Sequence, residues 1–402
     1  MGCVTSQTIT RDDFHQRYSL GKKLGEGSFG QVRETWNDEC SQPRAVKIID
    51  AYNENSEVRQ SLSRHARQEE LIWKKIGRHD HCVRLMEGFA DQRLYYFVME
   101  RCTLSLIEGL QATGETNEFE VATIFKQMLL GVSHLHSKKI VHRDIKPQNF
   151  LFGGQDGRII KLCDFGMAAE MPKFRGGTLS GCYGTPPYMS PEMAGNQGHT
   201  LSTDVWSLGA TAYVLLFGDF PYMPSKVTAK GMKLAIVVGL PDPSFSRSSL
   251  ELPPPHDLAI SFVQRLLDRC PGRRVEARAA LQLPFLVAKE EDLCPKQIMI
   301  KTKVMKLVEK NNDKLRTHVD PTVRRGLDEL LERLQEQGRC LALHRYFSDP
   351  GGKEDPIEEV EVCRKSSRSS THSGVVSTHN SFNGAVSNVS TTVSKLSYGT
   401  QL

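Results

Sequence analysis

The sequence predicts an α+β protein: one folded body with a helical extension and a polar tail behind it. Three observations carry this. The 402 residues are 39% hydrophobic, 25% charged and 7% aromatic, the balance of a globular chain and not of a disordered or fibrous one. Strand-like stretches beginning at Val32 and at Arg44 flank a glycine-rich turn region, so the early chain reads as a β-hairpin. Residues 290–346 carry helical apolar spacing, clearest where Leu327, Leu330, Leu331 and Leu334 fall at i, i+3, i+4 and i+7. The length suits two or three domains, or equally a single fold of roughly 250 residues with an extension.

Composition excludes more than it selects. Lys+Arg 52 against Asp+Glu 47 leaves a net charge of +5, a mild excess that predicts no nucleic-acid partner. The most apolar stretches, 210–217 and 234–240, are broken by Gly and Asp and fall short of the roughly 20 residues a membrane-spanning helix needs. The 10 Cys are scattered from Cys3 to Cys363 without CxxC or His/Cys metal spacing, which reads as reduced thiols in a cytosolic compartment. No repeat of twenty to fifty residues is visible.

The first six residues lack the basic and apolar regions of a secretory signal. Gly2 with Ser6 instead fits the N-myristoylation pattern, and Cys3 beside it is a candidate for S-palmitoylation. One acyl chain binds a bilayer only marginally, so the second is what would make attachment stable. The expected location is therefore cytoplasmic and membrane-associated. At the far end Ser and Thr dominate and helical periodicity disappears, most clearly from Ser366, and 347–402 is read as disordered.

The chemistry concentrates between these ends. Gly25, Gly27 and Gly30 form G-x-G-x-x-G, with Glu26, Ser28 and Phe29 in the gaps and Val32 after it. Dinucleotide-binding folds use the same spacing, but there the loop opens a helix, whereas here it lies in a hairpin. Such a hairpin can bring backbone N–H groups onto a triphosphate. Arg44-Ala45-Val46-Lys47 follows, then His142-Arg143-Asp144-Ile145-Lys146-Pro147-Gln148-Asn149, Asp164-Phe165-Gly166 and Ser190-Pro191-Glu192. In order and spacing these resemble the Gly-rich loop, V-A-I-K, H-R-D, D-F-G and A-P-E elements of eukaryotic protein kinases. The resemblance covers about 18–286, reaching Asp204 and Arg274.

The resemblance implies a bilobal fold, with a small N-terminal lobe of five strands and one helix, a larger helical lobe, and ATP between them. It makes Lys47 the cation for the α- and β-phosphates, held by a helix carboxylate, for which Glu69 aligns best and Glu70 is the alternative. Asp144 would accept the substrate hydroxyl proton, while Asn149 and Asp164 would hold Mg2+. Lys146 and Thr185 match serine/threonine rather than tyrosine kinases. Met99 would back the adenine pocket, Glu100 to Cys102 would form the hinge, and Val32, Ala45 and Leu151 would sandwich the ring. His142 and Arg143 take structural and regulatory roles, Arg143 by pairing with an activation-loop phosphate, and Glu192 with Arg274 forms a buried ion pair.

The stretch from Gln127 through Asp144 most resembles the calcium/calmodulin-dependent group. No EF-hand loop follows residue 290, so direct calcium binding is not expected. The basic, amphipathic stretch 296–310 has the chemistry of a calmodulin target, of a helix packed on the larger lobe, or of an autoinhibitory segment. Three positions where arginine-directed relatives carry acids align with Ser105, Gln148 and Val214, which weakens that substrate preference; Glu108 or Glu115 would have to substitute. The usual activation-loop phosphosite aligns with Gly181, leaving Thr178 and Ser180 as displaced candidates. The expected organisation is a lipidated segment at 1–17, a kinase domain at 18–286, a helical regulatory extension at 287–346 and the tail. The expected function is a serine/threonine kinase acting on protein substrates at a membrane; the rival is a catalytically weak kinase-fold scaffold.

Overall fold

The computed structural model describes residues 14–293, apart from 28–29, 38–39, 92, 113–115, 175, 225–226 and 247–253. The lipidation candidates Gly2 and Cys3, the stretch 296–310 and the tail lie outside the described residues, as do Ser28, Phe29 and Glu115.

The N-terminal lobe is a five-stranded antiparallel sheet in the order β1 (Ser19–Gly27), β2 (Gly30–Asn37), β3 (Cys40–Asp50), β5 (Leu94–Glu100), β4 (Leu85–Ala90). Strand alternation decides which residues face the second lobe. Ala45 and Ile49 of β3, with Tyr95, Phe97 and Met99 of β5, join the main core. Val46 and Ile48, with Leu94, Tyr96 and Val98, turn the other way into a second apolar cluster. Lys47 shares the face of Ala45 and Ile49, which is the inner one.

A short helix, α1 (Phe14–Arg17), covers the outer face. Phe14 stacks on Tyr96 at 4.3 Å and also meets Tyr18 and Phe89, so both faces of β5 are buried. Packing thus begins four residues before the expected start at 18. At the other end it continues past 286, since Leu293 is buried in the main core.

Helix α2 (Ser56–Ile76) starts where Asn55 accepts hydrogen bonds from the N–H groups of Glu57 and Val58, and stops at Gly77, whose φ of 67° suits a residue without a Cβ. Its buried stripe is Ala66, Glu69, Glu70, Ile72, Trp73 and Ile76. Trp73 anchors the stripe by donating its indole N–H to the Val83 carbonyl at 2.7 Å and packing against Phe97 and Phe165. Two carboxylates are therefore carried into an apolar interface.

The larger lobe is helical: α3 (Leu106–Ala112), α4 (Glu118–Ser137), α5 (Pro191–Ala194), α6 (Ser202–Phe217), α7 (Ala229–Val238), α8 (Asp257–Leu266), α9 (Ala277–Ala280) and α10 (Pro284–Val287). A reciprocal capping box between Asn117 and Glu120 opens α4. Helix α6 is buried on every side from Thr203 to Phe217 and forms the lobe's axis. Strand pairs β6 (Ile140–Val141) with β9 (Ala169–Glu170), and β7 (Phe150–Gly153) with β8 (Ile159–Leu162), carry the loops that face the sheet. No described helix is long and apolar enough to cross a membrane.

Candidate active site

Lys47 projects from β3 into an almost solvent-free position, where its Nζ donates to Glu69 Oε1 at 2.6 Å and to Asp164 Oδ1 at 2.8 Å. Burial opposes its charge, but the two carboxylates outweigh it and the lysine pKa is raised. Burial likewise opposes ionisation of Asp164, yet Lys47 above all holds that carboxyl far below the usual range. Glu69 is raised, burial being the larger influence. Of the two acids the sequence left open, Glu69 reaches Lys47; Glu70 pairs with Lys74 one turn along at 2.8 Å and lies against Gly88.

The loop between β6 and β7 supplies a second network. Asp144 Oδ2 accepts from Lys146 Nζ at 2.7 Å and Oδ1 from the Thr185 hydroxyl at 2.8 Å, while Lys146 also donates to Thr185 Oγ1 at 2.9 Å. Thr185 can sit there because Gly184, at φ 89°, has no side chain: a Cβ would lie 2.3 Å from the Arg143 carbonyl. Asn149 donates its amide to the Asp144 carbonyl at 2.7 Å, which leaves its side-chain oxygen for another partner.

Asp204, fully buried at the start of α6, fixes this loop from behind. Its carboxylate accepts the backbone N–H of His142 at 2.8 Å and of Arg143 at 2.9 Å, and a third bond from His136 at 2.9 Å. Burial would raise its pKa, but these bonds and the nearby histidines hold it below the usual range. His142 reaches the Cys163 carbonyl at 3.0 Å and packs edge-on to Phe165, tying the loop to Asp164.

The adenine-side candidates belong to one apolar surface: Ala45 and Met99 are buried in the main core, and Val32, Cys102 and Leu151 pack half-buried against it. The Glu100 carboxylate turns away to Lys161 at 3.1 Å and to the Arg84 N–H at 2.7 Å, and its own N–H donates to the Arg84 carbonyl at 3.1 Å, leaving its backbone carbonyl for a ligand edge. Burial first, then Glu100, pushes the Cys102 thiol up to about 12. The glycines differ in their work. A Cβ at Gly25 would meet nothing within 4 Å, whereas one at Gly30 would fall 2.0 Å from the Ile48 carbonyl, so Gly30 is required by the approach of β2 to β3.

Arg143 is where the structure adds a partner that motif reading lacks. Its guanidinium centre lies 3.8 Å over the Tyr183 ring and its Nε donates to the Met167 carbonyl at 2.6 Å. Burial lowers its pKa. Thr178 and Ser180, the displaced phosphosite candidates, are exposed. The segment carrying them is tied down through Leu179, which exchanges two 2.9 Å backbone bonds with His199, and through the Gly181 N–H, which donates to Asn196. Tyr183, two residues after Gly181, is the sequence signal for this partner.

Glu192 and Arg274 form a two-bond pair at 2.7 and 3.1 Å. Of the three positions suspected of lacking acids, Ser105 and its neighbour Glu108 bond each other, with the carboxylate accepting from Ser105 N at 2.7 Å and Oγ at 2.8 Å; Val214 is wholly buried.

The family model for the protein kinase domain matches residues 18–286. This chain belongs to the protein kinase family. The kinase domain is 34% identical over 276 residues to human serine/threonine-protein kinase H1, covering 68% of this chain and 62% of that protein. It is 34% identical over 279 residues to the maize probable serine/threonine-protein kinase CCRP1, covering 67% and 41%. It is also 34% identical over 224 residues to calcium-dependent protein kinase 5 of Plasmodium berghei, covering 54% and 38%. The chain thus spans less than two thirds of the length of these relatives.

Protein kinases use ATP and Mg2+, and the donors present suit that cation. Asp164 is ionised and Asn149 keeps an amide oxygen, both hard oxygen ligands. Among the described residues no three His, Cys, Asp or Glu gather around one point, so the remaining ligands would be phosphate and water, as is usual for Mg2+.

Proposed function

We propose that the chain is a serine/threonine protein kinase transferring the γ-phosphate of ATP to hydroxyl groups of protein substrates. The observation that carries this is the pair of complete polar networks, Lys47 with Glu69 and Asp164, and Asp144 with Lys146 and Thr185. Lys47, straightened by Glu69, presents a fixed cation to the α- and β-phosphates. Val32, Ala45, Met99 and Leu151 take the adenine ring, and the backbone from Glu100 to Cys102 takes its polar edge.

Asp144, held between a lysine and a threonine hydroxyl, is oriented to accept the proton of the attacking substrate hydroxyl. Lys146 puts a positive charge where the transferred phosphate arrives. Asn149 and Asp164 would hold Mg2+, which when bound neutralises charge on the phosphate oxygens. Little covalent work falls to the protein, so positioning and electrostatics supply the rate. The complete Lys47 chain speaks against the scaffold alternative. Incubation with labelled ATP, magnesium and a degenerate peptide library tests the reading. Lys47→Met, Asp144→Ala and Asp164→Ala should each lower transfer by orders of magnitude with folding retained; full activity in Asp144→Ala would end it.

The finer part of the proposal is signalling at a membrane through lipid on Gly2 and Cys3. It rests on the N-terminal pattern, and on Phe14 packing on the outer face of the sheet, away from the face that carries Lys47. Mass spectrometry of the N-terminus, with Gly2→Ala moving the protein from membrane to cytosol, tests it; an unmodified N-terminus refutes it.

A further inference from the structure

Helix α7 is amphipathic the wrong way round for a helix facing water. Met232, Ala235 and Ile236 bury one side, yet the opposite side is apolar too: Leu234 is 60% exposed, Val238 57% and Leu240 just beyond the helix 59%, with Val237 also exposed. Leu234, Val237 and Val238 stand at i, i+3 and i+4 and so share one face. The only ionisable residues of α7 are Lys230 and Lys233, one turn before Leu234 and Val237. A contiguous exposed apolar face of this kind marks an interaction surface.

The sequence holds a segment of complementary chemistry. Residues 326–337 carry the stripe Leu327, Leu330, Leu331 and Leu334, bordered by Asp328, Glu329, Glu332 and Glu336 against Arg333 alone. Each surface has an apolar row and flanking charges, and the charges are opposite. The described body ends at Leu293, and the chain from there to Leu327 can extend on the order of 100 Å, so reach does not limit the encounter.

We propose that the acidic leucine stripe of 326–337 docks on the exposed face of α7, its leucines covering Leu234, Val237, Val238 and Leu240 and its carboxylates meeting Lys230 and Lys233. A segment of the same chain is favoured over a separate partner because tethering supplies a high effective concentration. Helix α7 packs on α5 and on the turn Pro186–Tyr188, which directly follows Thr185 of the Asp144 network. The inference goes beyond the kinase reading and does not depend on it, because its test measures no catalysis.

Hydrogen–deuterium exchange of the full chain tests it. Amides of 326–337 should exchange at least about tenfold faster when Leu234→Asp and Val238→Asp are introduced together. Both side chains are largely exposed, and an unchanged melting transition would verify that the body remains folded. The pair Lys230→Glu and Lys233→Glu should also speed exchange, and adding Glu329→Lys with Glu332→Lys should restore protection. Equal exchange in the wild type and the α7 variants would overturn the proposal. So would protection that rises with protein concentration, which would assign the face to a second copy.

Discussion

The Glu192–Arg274 pair should be worth far more when broken than when removed. Both side chains are almost without solvent exposure, and Arg274 makes bonds beyond the pair: Nη1 donates to the Ser202 carbonyl at 2.9 Å and Nε to the Asp268 carbonyl at 2.9 Å. Arg274→Met would strand a buried carboxylate and two carbonyls. A broken buried pair costs about 3–5 kcal/mol, and orphaned carbonyls place this variant in the upper half of that range. Glu192→Leu strands the guanidinium but leaves its carbonyl bonds, so about 3 kcal/mol is expected. The double variant has no unpaired charge and should cost less than the sum of the two by at least about 2 kcal/mol. Urea unfolding gives each value as a shift in midpoint at constant slope. A single variant costing under about 1 kcal/mol, or additive losses, would refute the reasoning. Activity should fall as well in Arg274→Met, because Ser202 begins the helix whose Asp204 holds the backbone of His142 and Arg143.

Three further outcomes follow from the geometry. Tyr183→Ala should lower the activity of unphosphorylated protein by about two- to fivefold, since a cation–π contact with an exposed ring is worth roughly 0.5–1 kcal/mol, while Tyr183→Phe should retain it; equal activity in all three proteins would show that Arg143 needs no aromatic partner. His199 is buried without a side-chain partner, and burial, then Arg143, lowers its pKa to about 4. The unfolded chain therefore binds the extra proton first, so stability is full above about pH 6.5 and falls by roughly 3 kcal/mol as pH drops towards 4. His199→Gln should flatten that slope in acid unfolding curves, and an unchanged slope would assign it to other groups. On a peptide array, arginine three residues upstream of the phosphoacceptor should be preferred by less than about tenfold, equivalent to about 1.4 kcal/mol, because the Glu108 carboxylate is already committed to Ser105; a stronger preference would place another acid there.

What the sequence disclosed followed from how far each signal reaches. Lys47 was legible through the resemblance of Arg44-Ala45-Val46-Lys47 to the family motif, and in the structure strand alternation puts it on the face of Ala45 and Ile49. Glu69 and Glu70 could not be separated so easily, since adjacent helix positions differ by a rotation that both can accommodate on one buried stripe. Contact with Lys47 in one case and Lys74 in the other distinguishes them. Phe14 gave no signal because four residues are too few for helical periodicity; only its stacking on Tyr96 shows that it is core. Gly30 looked like one more phosphate-loop glycine, whereas its need comes from a carbonyl on a strand many residues away. Motif spacing encodes order along the chain and not such approaches.

Strain offers the last link between fold and chemistry. Arg143 and Asp164 both occupy the left-handed region, at φ 67° and 61°, where side-chain-bearing residues rarely rest. Each such residue costs on the order of 1–3 kcal/mol and persists only where its surroundings over-determine it. For Arg143 the surroundings are explicit: Asp204 accepts its N–H, Met167 accepts its guanidinium and Tyr183 lies beneath its charge. For Asp164 the Lys47 bond aims the carboxylate while His142, bonded to the Cys163 carbonyl, holds the preceding residue. These restraints come from α6, β3 and the activation segment, elements far apart in sequence. Loosening any one of them should release a strained residue into an ordinary conformation and turn Asp144 or Asp164 out of position. The active geometry therefore depends on the correct packing of both lobes, as well as on the presence of the catalytic side chains.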